Sequence, residues 1–121
     1  MRLISGLVLS LLFLVGCNDK EQFCTQEFRL VSITVTGAEL DKVYTVRQSN
    51  NDTIISNQSS VFGDTTYVVL DDNYLPKLKN QTDDFLFVGE VDGEKQVEEL
   101  FTIKADECHV EYVSGNTDVQ L

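Results

Sequence analysis

From residue 28 onward, apolar side chains recur at every second position in short runs, and polar turn formers separate the runs. A period of two belongs to strands, because successive residues point to opposite faces of a sheet. "FRLVSITVT" (28–36) puts Val31, Ile33 and Val35 on one face; "VYTVRQ" (43–48), "TIIS" (53–56) and "TTYVVLD" (65–71) follow, with a weaker candidate over 60–62. "GAELD" and "NND" punctuate them, and Asn and Asp suit turns because they tolerate left-handed backbone and bond to it locally. "FLFVGEV" (85–91) is apolar on both faces, which predicts a central strand. Asp92-Gly93 is a two-residue hairpin signal, so "EKQVEELFTIK" (94–104) is expected to return as a strand, although Val97, Leu100 and Phe101 also fit helical spacing. "CHVEYV" (108–113) reads as the last strand. Pro76 predicts a short helical turn, with Leu75 and Leu78 over the edge of the core. Seven or so short strands imply an all-β chain folded as a single Greek-key β-sandwich.

The first residues do different work. Arg2 precedes an apolar run from Leu3 to Val15, broken only by Ser5, Gly6 and Ser10. A helix that spans a bilayer needs about 20 apolar residues, so this run reads as a secretory signal. It ends in Leu14-Val15-Gly16-Cys17, which resembles a bacterial lipobox. The resemblance implies cleavage before Cys17, a diacylglycerol on its thiol and acylation of the new amine. Residues 1–16 are then a lipoprotein signal peptide, 17–22 a lipidated tether and 23–121 the β-sandwich domain. The lipid bilayer is the first expected partner, since two or more acyl chains anchor stably. Asn18, rather than Asp, after the anchor implies the outer membrane, with the leaflet open.

Charge narrows the partners further. The chain carries 20 Asp and Glu against 9 Lys and Arg, a net charge of −11. Such a surface repels phosphate backbones and has no basic patch for anionic lipid, so nucleic acid is not expected. It suits solubility, or a basic or metal-ion partner. With Cys17 lipidated, Cys24 and Cys108 remain, and one disulfide between them is expected; two free thiols are the alternative. They lie at the amino-terminal ends of the first and last predicted strands, and in such sandwiches terminal strands can run parallel side by side, which would bring those ends together.

The order strand, "GAELDKV" loop, strand, "TTYVVLDD" resembles the carboxypeptidase-regulatory-like and transthyretin-like (Ig-like) sandwiches. The ending "DECHVEYVSG" is similar to that of many small lipobox-anchored proteins of Gram-negative bacteria. The resemblance covers roughly residues 25–115. It implies a folded accessory module and carries over no catalytic residue.

Candidate chemistry is sparse. His109 is the only histidine and follows Cys108 directly, so on a strand the two point to opposite faces and a Cys–His dyad is disfavoured. It reads as a surface or edge-strand residue. No CxxC or HxxxH spacing suggests zinc. Asp71, Asp72 and Asn73 at one end of a loop, with Asp83 and Asp84 at the other, offer hard oxygen ligands for calcium; as ordinary turn residues they need no ion. Asp52-Thr53-Ile54 and Asp64-Thr65-Thr66 resemble an O-glycosylation acceptor pattern of some Gram-negative anaerobes, on Thr53 and Thr65. The expected function is a non-enzymatic binding or assembly module whose partner is an envelope protein or a glycan. A carboxylate-based hydrolase and a structural envelope component without a specific ligand are the alternatives.

Overall fold

The computed structural model describes residues 24–56 and 65–121. Cys17, the expected tether at 17–22 and the candidate strand at 60–62 lie outside the described residues. The rest is mostly strand. Among the described residues there are eight strands: β1 (Leu30–Thr36), β2 (Lys42–Arg47), β3 (Thr53–Ile54), β4 (Thr66–Asp71), β5 (Thr82–Val91), β6 (Glu94–Ala105), β7 (Val110–Ser114) and β8 (Asp118–Gln120). They form two sheets, a three-stranded one in the order β4-β1-β8 and a five-stranded one in the order β3-β2-β5-β6-β7. Among the described residues no helix is long and apolar enough to cross a membrane.

Alternation decides which side chains meet. Val31, Ile33 and Val35 of β1 are buried, as their shared face predicts. Opposite them, Phe85 and Phe87 of β5 and Phe101 and Ile103 of β6 are completely buried. β5 lies at the centre of the larger sheet, flanked by β2 and β6. The segment 94–104 is strand, because the hairpin closes it against β5 over the whole length from Val91↔Glu94 to Thr82↔Lys104. That ladder satisfies the backbone polar groups that a helix would otherwise have to satisfy alone.

After β4 the chain makes one 3-10 turn, Asp72–Tyr74, and one helical turn, α1 (Leu75–Leu78). Asp71 Oδ1 accepts the Asn73 N–H at 2.9 Å, which starts the turn by side-chain capping. Pro76 stands in the first helical turn, where its missing N–H costs nothing, and Leu78 is fully buried. Tyr74 meets Phe85 edge to face with ring centroids 5.9 Å apart, so this turn closes one end of the core.

The eighth strand lies in the tail, beyond the run 108–113 expected to be last. β8 pairs in parallel with β1, from Thr34↔Asp118 to Thr36↔Gln120. The terminal strands therefore do run side by side, but the run that follows Cys108 is β7, at the edge of the other sheet. The disulfide between Cys24 and Cys108, with Cα atoms 5.1 Å apart, consequently ties the segment leading into one sheet to the segment leading into the other.

Candidate functional site

Beside this disulfide the structure gathers a polar cluster. Asp72 follows β4, His109 precedes β7 and Thr25 follows Cys24. His109 Nδ1 lies 2.7 Å from Asp72 Oδ2, and His109 Nε2 lies 3.0 Å from Thr25 Oγ1. Since Asp72 can only accept when ionised, Nδ1 carries the proton, and a neutral ring takes the Thr25 hydroxyl proton at Nε2. Asp72 also accepts the backbone N–H groups of Arg29 and Val110, each at 2.8 Å. One carboxylate thus joins the starts of β1 and β7 to the end of β4. Asp106 Oδ1 adds the N–H groups of Cys108 and His109, which fixes the turn that presents the imidazole.

His109 is therefore not a surface histidine. It is 8% exposed, with both ring nitrogens engaged. Cys108 is held in the disulfide, so the two neighbours form no dyad. Thr25, His109 and Asp72 stand in the order of a nucleophile, a base and an orienting acid. However, none of the three lines either of the cavities that flank Ile55 and Ser56. What the cluster does for the fold is clasp two sheets together.

A second network surrounds Arg47, at the end of β2. Its side chain is only 9% exposed and pairs with Asp83 at 2.5 Å. Its other nitrogens donate to the Lys77 carbonyl at 3.0 Å and to Gln81 Oε1 at 3.1 Å. The guanidinium lies 5.9 Å from the ring centres of both Tyr74 and Phe85. Asp83 also accepts from the Ser49 hydroxyl and the Asp84 N–H. This network fastens α1 to the larger sheet. A sequence signal for it exists: Arg47 is in phase with Val43 and Thr45, so alternation aims a charge inward.

The acid dependence of stability follows from these contacts. Burial pushes the Asp72 carboxyl up, but the Arg29 N–H, His109 and the Val110 N–H outweigh it and hold it below its ordinary value of 3.8. Burial likewise pushes Asp83 up, and Ser49, Arg47 and the Asp84 N–H outweigh it. The N–H groups of Cys108 and His109 lower Asp106. A carboxylate whose folded pKa is depressed stabilises above its unfolded pKa, and that stability is lost as pH falls through the folded value. Urea midpoints are therefore expected to fall progressively below about pH 4. Asp72→Asn should start from a lower midpoint and show a shallower acid decline.

The five-stranded sheet carries an apolar row on its outer face. Val46 pairs with Leu86, and Leu86 with Leu100, so three adjacent strands present them side by side. Leu100 is 51% exposed. Next to this row runs Tyr44–Val88–Glu98, and then Lys42–Glu90–Lys95. Lys42 and Glu90 stand 3.9 Å apart, and Lys95 and Glu98 stand 3.5 Å apart. A cavity of about 300 Å3 opens at the β3–β4 side of the molecule. A second, of about 280 Å3, shares Ile55 and Ser56 with it.

The residues expected to bind calcium have other tasks. Asp71 caps a turn, Asp72 holds the clasp, Asp83 holds Arg47, and Asp84 accepts the Thr102 hydroxyl at 2.7 Å. Asn73 donates its N–H to Asp71. Among the described residues no three His, Cys, Asp or Glu side chains converge on a position for an ion, so the two acidic ends of the loop do not form one ligand set. Thr53 is exposed on β3, beside an Asp52 that accepts the Tyr74 hydroxyl at 2.9 Å. Thr65 is exposed before β4; its Asp64 and Cys17, the expected lipidation site, lie outside the described residues. No family model matches the sequence, and neither a curated protein nor a solved structure matches it.

Proposed function

We propose that this chain is a non-enzymatic binding or assembly module of the bacterial cell envelope. Acyl chains on Cys17 hold it at the outer membrane, and the two sheets pack as a Greek-key sandwich of the carboxypeptidase-regulatory-like kind. The observation that carries the reading is the row Val46–Leu86–Leu100, an apolar strip on the solvent face of a strongly acidic molecule. Exposed apolar patches framed by charge mark protein contact sites. The partner is accordingly an envelope protein that covers the outer face of the larger sheet. Gentle cross-linking and pull-down of the native lipoprotein is expected to recover one specific protein. Leu100→Lys should lose that protein while keeping the wild-type melting temperature. Equal recovery by this variant, or recovery of no specific protein, counts against the reading.

A hydrolase is the second reading, and the Thr25–His109–Asp72 geometry is the observation that favours it. Labelling of Thr25 by a fluorophosphonate, lost in His109→Gln, would raise it above the first.

A further inference from the structure

The cavity at the β3–β4 side has the chemistry of a side-chain receptor. Ile54, Ile55, Val69, Leu70, Asp71 and Tyr74 are among the residues that line it. Asp71 is only 8% exposed. Its Oδ1 accepts the Asn73 N–H at 2.9 Å, and among the described residues no donor reaches Oδ2. Every solvent-sealed side-chain oxygen of the described residues does have a partner. Oδ2 is therefore reached by solvent, and the cavity that Asp71 lines is its approach.

The nearby cations are already assigned. Arg47 is paired with Asp83, and Lys77 lies 3.6 Å from Asp52. The Tyr74 hydroxyl donates to Asp52 rather than to Asp71. A largely buried carboxylate that lines a cavity without a cation favours an occupant that brings one. Ile54 and the exposed Ile55 in the lining favour a cation carried on an apolar stem. We propose that the cavity receives a lysine or arginine side chain of a protein partner, with the methylene stem against Ile54 and Ile55 and the cationic head on Asp71 Oδ2. The net charge of −11 complements a basic partner and speeds its approach at low salt. The proposal rests on the binding-module reading but concerns a different surface from the Val46–Leu86–Leu100 row.

The test uses the full-length lipoprotein in detergent, 15N-labelled, with the peptide acetyl-Gly-Lys-Gly-amide as probe. Amide signals of residues 69–73 should shift saturably with this peptide and with its arginine counterpart, but not with the norleucine counterpart. Asp71→Asn, which keeps the capping oxygen, should weaken binding roughly tenfold or more. Ile55→Lys, at a residue 67% exposed, should abolish binding by placing the chain's own cation at the mouth. Leu100→Lys should leave it intact, which separates this site from the outer row. Equal binding of the norleucine peptide, or undiminished binding by Asp71→Asn, overturns the proposal. Binding of butylammonium without binding of the lysine peptide also overturns it, since the site would then serve a free amine.

Discussion

Replacing Cys24 and Cys108 by serine is expected to lower the melting temperature of the protein by about 20 °C or more. The two cysteines are 84 residues apart in sequence, so the bond closes almost the whole described chain into one loop. Loop-closure entropy for a separation of this size corresponds to roughly 4–5 kcal/mol removed from the unfolded state. The position of the bond adds to this. Cys24 precedes β1 in the smaller sheet, and Cys108 precedes β7 in the larger one. Without the link, Thr25 is free to leave His109, and the Asp72 carboxylate alone must hold the starts of β1 and β7 together. Calorimetry of the double variant against wild type measures the effect. A drop of only a few degrees would mean that the Asp72–His109 clasp is sufficient and the disulfide redundant.

Asp83→Ala is expected to cost about 3–5 kcal/mol, because it leaves the Arg47 guanidinium buried without its counter-charge. Both side chains are largely shielded, at 9% and 14% exposure, so solvent screens little of the loss. The carbonyl of Lys77 and the amide of Gln81 remain as acceptors but are neutral. Arg47→Met in the Asp83→Ala background should recover a substantial part of the loss, since no orphan charge then remains and a methionine can pack against Tyr74 and Phe85. Chemical denaturation of the two single variants and the double variant measures the coupling. Additive losses would show that the pair stabilises through packing rather than charge.

Much of the architecture is legible in the sequence for physical reasons. Strict alternation locates Val31, Ile33 and Val35 in the core, and Asp92-Gly93 resolves the helix-or-strand ambiguity of 94–104 through the register it imposes. Pro76 marks the α1 turn for the same local reason. What escapes sequence reading depends on distant partners. β8 is three residues long and exists because β1 offers it an edge. His109 looks exposed by local alternation, yet Asp72, 37 residues away, folds over it. Arg47 is visible as an inward-phased charge, but its acceptors come from α1 and β5 and from the turn between them, which no local pattern connects. The candidate calcium ligands illustrate the converse. Their clustering in sequence is real, and each carboxylate serves the turn or strand end that it occupies.

Contact across the outer face of the larger sheet can be read directly in cells. A benzophenone amino acid placed at Leu100 lies at the exposed end of the apolar row, whereas one at Lys79 lies on the turn after α1. Illumination of intact cells is expected to give one discrete high-mass adduct from position 100 and none from position 79. No adduct at 100, or the same diffuse set of products from both positions, would contradict a partner docked on this face.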